Sequence, residues 1–285
     1  MANFATCDHC RNDIPPSADK CPHCGLPGLF PNVRAAADPS EIAALERRYR
    51  SAKQDTLARG AGKSLDDFEV AVANSMAILA RSDNELQRLA TSDNELYAAY
   101  YQLLAAGVRL PAGDKWDTLR VVADSALFPG YKEHIRFAAL SLDGMGLFNY
   151  GNCLILLRDD LIAHRASVFE ENSVLFMKHH GLKMSEAAKL PRGYRATWKD
   201  RAKVCLAKTH KRIDSATDAS KYSALLLQQG ATSEDDEFVE VHIYGSITIR
   251  TIERVILSPR LKRRQRATIL KALEERLAKA GVTIS

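Results

Sequence analysis

Phe238-Val239-Glu240-Val241-His242-Ile243-Tyr244 is the stretch on which the reading of this chain turns. Successive side chains of a strand point to opposite faces, so Val239, Val241 and Ile243 share one face while Phe238, Glu240, His242 and Tyr244 share the other. The aliphatic face predicts contact with a core. For Glu240 on the opposite face there are two readings: a carboxylate that meets water on the solvated side of a sheet, or a rigidly held acid converging with His242 and Tyr244 on a cleft. Gly245-Ser246 fits a two-residue hairpin turn into Ile247-Thr248-Ile249.

Working outward, residues 135–142, 153–157 and 164–169 are short strand candidates between glycine-rich or acidic turns. Helices are predicted over 171–180, 198–211, 220–229 and 261–280, the second preceded by Thr197 with Asp200 at the capping-box offset. Arg263, Arg264 and Arg266 lie in the first turns of the last helix, where the macrodipole disfavours cations. Earlier in the chain the period is helical. Ile42, Leu45, Tyr49 and Ala52 follow Ser40 as a cap, and Leu65, Phe68, Val72, Met76 and Leu79 share a second helix face. Ser82-Asp83-Asn84-Glu85-Leu86 returns as Ser92-Asp93-Asn94-Glu95-Leu96, two capping boxes that each predict a helix start, and 114–128 reads as one more helix. The fold class is α+β, with a helical block over 41–130 and a mixed split-sheet domain over 131–285.

The first 27 residues are of another kind. Cys7-Asp8-His9-Cys10 and Cys21-Pro22-His23-Cys24 are two knuckles whose thiolates can close a tetrahedral Zn²⁺ shell, which describes a zinc ribbon. Cys7, Cys10, Cys21 and Cys24 are the expected ligands; His9 and His23 are rival ligands, and a disulfide pair is the remaining alternative. Four sulfurs leave no open coordination position, so this zinc is structural, and its binding energy folds a segment too small for its own core. Gly25, Pro27, Gly28, Pro31 and Pro39 then predict an extended linker over 28–40.

The chain has 285 residues, 46% hydrophobic and 26% charged, enough to bury a sizeable core. No apolar run of membrane-spanning length and no signal-like start occur, so the cytoplasm is the expected compartment, with Cys153 and Cys205 as small buried hydrophobes. The net charge of +5 is unevenly spread. Basic residues crowd 192–212 and 260–266, against an acidic run Glu234-Asp235-Asp236-Glu237, which permits a polyanionic partner. Gly60-Ala61-Gly62-Lys63-Ser64 imitates the end of a P-loop, but Leu57 stands where the first glycine belongs and a helix precedes it.

Three segments in order are informative: Tyr150-Gly151 entering the strand at Cys153, Arg165-Ala166-Ser167, and Glu240 in Glu-Val-His-Ile-Tyr-Gly. Together they resemble the ADP-ribosyltransferase superfamily, in its toxin-like branches, over roughly 135–257. The resemblance implies NAD as substrate, Glu240 as the catalytic residue, and Tyr150, Gly151, Arg165, Ser167 and Ser173 as NAD-binding residues. Arg195, Trp198, Arg201 and His242 become possible substrate or supporting residues. Phe238 stands where the arginine-modifying branch carries Gln or Glu, so arginine side chains are not the implied acceptor. Tyr150 replaces the histidine or arginine of the best-known branches.

Cleavage of the nicotinamide–ribose bond develops positive charge on the sugar, and the implied role of Glu240 is to favour that charge and orient the acceptor. The implied acceptor is a nucleic acid, RNA before DNA and both before protein, in antiphage defence or a toxin–antitoxin system with a neutralising antitoxin as partner. The alternative is a non-enzymatic zinc-ribbon adaptor that binds nucleic acid or protein.

Overall fold

The computed structural model of the chain describes residues 5–93, 95–97, 101, 115–182 and 190–285. Strands β1 (Ala5–Thr6) and β2 (Asp13–Ile14) form the ribbon hairpin, followed by helices α1 (Pro31–Ala36), α2 (Pro39–Ala58) and α3 (Gly62–Ala73). Next come β3 (Met76–Arg81), α4 (Asp83–Leu89), α5 (Lys115–Leu127), β4 (Ile135–Ser141), β5 (Cys153–Leu157), α6 (Asp159–Ile162), β6 (Ala166–Phe169) and α7 (Ser173–His179). The chain continues through β7 (Arg195–Thr197), α8 (Arg201–Thr209), α9 (Ala219–Leu226), β8 (Leu227–Gln228) and β9 (Glu237–Phe238). It ends with β10 (Glu240–Tyr244), β11 (Ile252–Leu257), α10 (Arg263–Lys279) and β12 (Thr283–Ile284). The class is α+β.

Eight strands form one sheet in the order β12-β11-β5-β3-β4-β10-β6-β7, antiparallel throughout except for the parallel β11–β12 pair. Two expectations are corrected here. The block over 41–130 is not wholly helical: Met76 and Leu79 belong to β3, because α3 ends at Ala73 and the Ser75 hydroxyl donates to the Val72 carbonyl at 2.6 Å. A short apolar run buried on both faces, as Ala77–Ala80 is, has no period that separates strand from helix. The sheet is also not split. β3 lies between β5 and β4 and joins what would otherwise be two sheets, β12-β11-β5 and β4-β10-β6-β7.

The alternation read in β10 holds. Val239, Val241 and Ile243 enter the main core with Leu65, Phe68 and Val72 of α3, Val204 and Leu206 of α8, and Leu273 and Leu277 of α10. Each such fully buried aliphatic side chain contributes roughly 1.5–3 kcal/mol. The expected hairpin after Gly245 does not form: both edges of β10 are already paired, by β4 and β6, so residues 249–251 turn as a 3₁₀ segment and β11 pairs β5 instead. Nor is 28–40 simply extended. Pro31 opens α1, a helix whose Asn32 is 2% exposed. The first repeat caps α4 through Ser82 and Glu85; after the second copy residues 95–97 are not helical, and residues 98–100 and 102–114 lie outside the described residues.

Candidate functional site

The sulfurs of Cys7, Cys10, Cys21 and Cys24 all lie within 4.8 Å of one another, with Cys7–Cys24 at 3.7 Å and Cys10–Cys21 at 3.5 Å. Sulfurs about 2.3 Å from a shared zinc stand about 3.8 Å apart at tetrahedral corners, whereas a disulfide needs about 2.05 Å. The set fits a metal. The two knuckles match in backbone: Arg11 N donates to the Cys7 carbonyl and Gly25 N to the Cys21 carbonyl, and both residues are left-handed, at φ 61° and 71°. His9 and His23 are exposed and outside the cluster.

Glu240 faces the other side of the sheet from the core, yet it does not meet water. Its side chain is buried under α5 and α7, and Oε2 accepts from the Ser173 backbone N–H at 3.1 Å and from His242 Nε2 at 2.9 Å, which requires the proton of that imidazole on Nε2. Oε1 lies 3.6 Å from Arg120 Nη2 and accepts no hydrogen bond among the described residues. Burial alone would raise this carboxyl's pKa. The His242 hydrogen bond, the Arg120 and His242 charges and the Ser173 N–H outweigh it and hold the group below its ordinary value.

Arg120 Nε also reaches Asp124 Oδ2, at 3.2 Å, and the Tyr101 hydroxyl donates to the same oxygen at 2.8 Å. Asp124 is pushed the opposite way, upward, by burial first and then by the charge of Glu240, against the pull of Arg120. Two neighbouring carboxyls are thus driven apart in acidity. The Arg120 guanidinium lies 4.0 Å from the Phe137 ring centre, and the His242 ring is enclosed by Phe128, Phe137 and Phe169 at 4.6, 5.5 and 5.8 Å. Among the described residues, three buried polar atoms of this network find no hydrogen-bond partner: Glu240 Oε1, Asp124 Oδ1 and Ser173 Oγ. An unmet buried acceptor costs about 1–3 kcal/mol, and each of these oxygens could accept from a hydroxyl or amide donor.

The other expected residues divide. Ser167 stands directly opposite His242 in the β6–β10 register, and its hydroxyl accepts from Asn32 Nδ2 at 3.2 Å; the same amide donates to the His242 carbonyl at 2.8 Å. Tyr150 is 38% exposed, with its hydroxyl on the Ser233 carbonyl at 3.1 Å and its ring 6.2 Å from Phe238. Its acidity is lowered by burial above all, and it feels the charges of both Arg120 and Glu240. Gly151 is a close-packing residue: a Cβ there would fall 2.2 Å from the Arg81 carbonyl carbon.

Arg165 is engaged elsewhere, donating to the carbonyls of Leu161, Tyr244 and Ser246 at 2.9, 2.7 and 2.8 Å. Arg195 Nε faces Glu41 at 3.4 Å. Trp198 and Arg201 lie on the core side of the sheet, away from Glu240. The indole donates to Asp159 at 2.6 Å, and the guanidinium closes the end of α3 through Val72 O, Ala73 O and Ser75 Oγ. Arg120, Asp124 and Tyr101 entered no sequence motif, although the four-residue spacing of Arg120 and Asp124 puts both on one face of α5. Among the described residues no helix is long and apolar enough to cross a membrane. No protein-family model matches the chain, and no curated protein matches it.

Proposed function

We propose that the chain is an NAD-dependent ADP-ribosyltransferase toxin that modifies a nucleic acid, RNA ahead of DNA and both ahead of protein. The observation that carries this reading is Glu240: an ionised carboxylate locked by two donors on one oxygen, with the second oxygen unbonded beside Arg120. A fixed negative charge of this kind stabilises an oxocarbenium-like sugar without reorganising. The bond between nicotinamide nitrogen and ribose C1 breaks with its electron pair leaving on nicotinamide, and an acceptor oxygen or nitrogen forms the new bond to C1 and loses its proton. Glu240 holds the ribose hydroxyl through Oε1 and His242 and Ser173 hold Glu240. In this reading Tyr150, which is partly exposed, covers the nicotinamide end. The reading includes a cytoplasmic setting and an antitoxin partner.

The full burial of Glu240 favours a second reading, in which the network only stabilises the sheet of a zinc-ribbon adaptor. Labelled NAD offered with RNA, DNA and protein pools separates the two: the transferase releases nicotinamide and labels one pool, and Glu240→Gln abolishes both at least 100-fold; no release in any pool retires the enzyme.

A further inference from the structure

An open cleft of about 580 Å³ lies between α2, α8 and the segment that follows β6. Its walls carry Arg47, Arg48, Lys208 and Lys211, and Glu170 and Glu171 lie along it. Arg48 is paired with Glu170 at 2.6 Å and stacks on Tyr194 at 3.7 Å, and Lys208 meets Glu237 at 3.1 Å. Glu171 is paired with His179 at 3.0 Å. Arg47 and Lys211 are exposed, and neither has a carboxylate at ion-pair distance among the described residues. Burial moreover pushes the Glu170 carboxyl up to about 7, against the pull of Arg48, which thins the negative charge at neutral pH.

Among the described residues no Phe, Tyr or Trp lines the cleft, and its one imidazole, His210, is bonded to the Ala207 carbonyl at 3.1 Å, so base stacking has no free platform there, and the cleft runs open rather than enclosing a small molecule. Point charges on two helices facing one open channel match a row of phosphates. Residues 170–173 tie this channel to the network described above: Glu170 and Glu171 line it, while the Ser173 N–H holds Glu240. We propose that this cleft binds the phosphodiester backbone of a nucleic acid strand, with Arg47 and Lys211 as the two cations that lack a carboxylate partner among the described residues. The proposal deepens the transferase reading by giving the acceptor a seat, and binding needs no turnover.

The test is the affinity of the full-length, zinc-loaded protein for a labelled single-stranded RNA oligonucleotide across a salt series, by fluorescence anisotropy. Arg47→Ala with Lys211→Ala should weaken binding at least 10-fold and flatten the log–log salt slope by about 1.4, two phosphates at about 0.7 each. Arg47→Lys with Lys211→Arg should restore both. An unchanged slope in the alanine variant overturns the proposal, as does polyglutamate competing as well as RNA, which would mark an acidic-protein site. Glu240→Gln should bind RNA as the wild type does. No transfer by the wild type, with this salt behaviour intact, retires the enzyme and leaves the cleft.

Discussion

Glu240 and Glu170 are both buried carboxyls, and the structure drives them in opposite directions. Glu240 is held low once burial is outweighed by His242, Arg120 and Ser173, so its stabilising share is present above the ordinary value of 4.5 and is lost as pH falls through its lower folded value. Glu170 is raised from 4.5 to about 7, mainly by burial, so the folded chain binds its proton more tightly than the unfolded chain does. Stability contributed by Glu170 therefore falls as pH rises across that window, by up to about 3 kcal/mol. Urea unfolding of Glu170→Gln should show a weaker decline between those limits than the wild type; an identical decline would assign the effect to another group. At this scale the sequence was most legible where chemistry is local. The cysteine spacing names its own cluster, and period two puts Glu240 beside His242. Arg120 and Asp124 were not legible, because α5 and β10 meet only through the tertiary fold and nothing in either segment names the other.

Elements were readable wherever a period was unambiguous, as in β10 and α10, and open to misreading where it was not. β3 is the clearest case: Ala77, Ile78, Leu79 and Ala80 are buried on both faces, a pattern that fits a helix as well as a central strand. The hairpin after Gly245 failed for a different reason, since turn chemistry was present but β10 had no free edge to offer. Gly151 shows how tightly the β3–β5 junction is closed. A Cβ would sit 2.2 Å from the Arg81 carbonyl carbon and 2.4 Å from its oxygen, contacts only a backbone shift relieves. Gly151→Ala should destabilise the fold by at least about 2 kcal/mol in urea unfolding. A cost below about 0.5 kcal/mol would mean the two strands are not so closely apposed.

On the scale of the whole molecule, the ribbon is a separate small cluster of Cys7, Ile14 and Cys21, tied to the body through Arg34 of α1. That guanidinium donates to the carbonyls of Pro15, Pro16 and Ala18 at 2.9, 2.7 and 3.0 Å, and Asn32, two residues earlier, holds the His242 carbonyl. The main core contains none of the ribbon's side chains. Elemental analysis should find one zinc per chain, lost on Cys21→Ser, while the urea midpoint of the body changes little; a body that unfolds with the metal would make the ribbon part of the core. The most direct measurement of all is nicotinamide release from labelled NAD in the presence of RNA, wild type against Glu240→Gln. Release and RNA labelling by the wild type, with both lost in a variant that keeps its fold and its RNA affinity, is the predicted result. Equal release by the two proteins, or none by either, would contradict a catalytic Glu240.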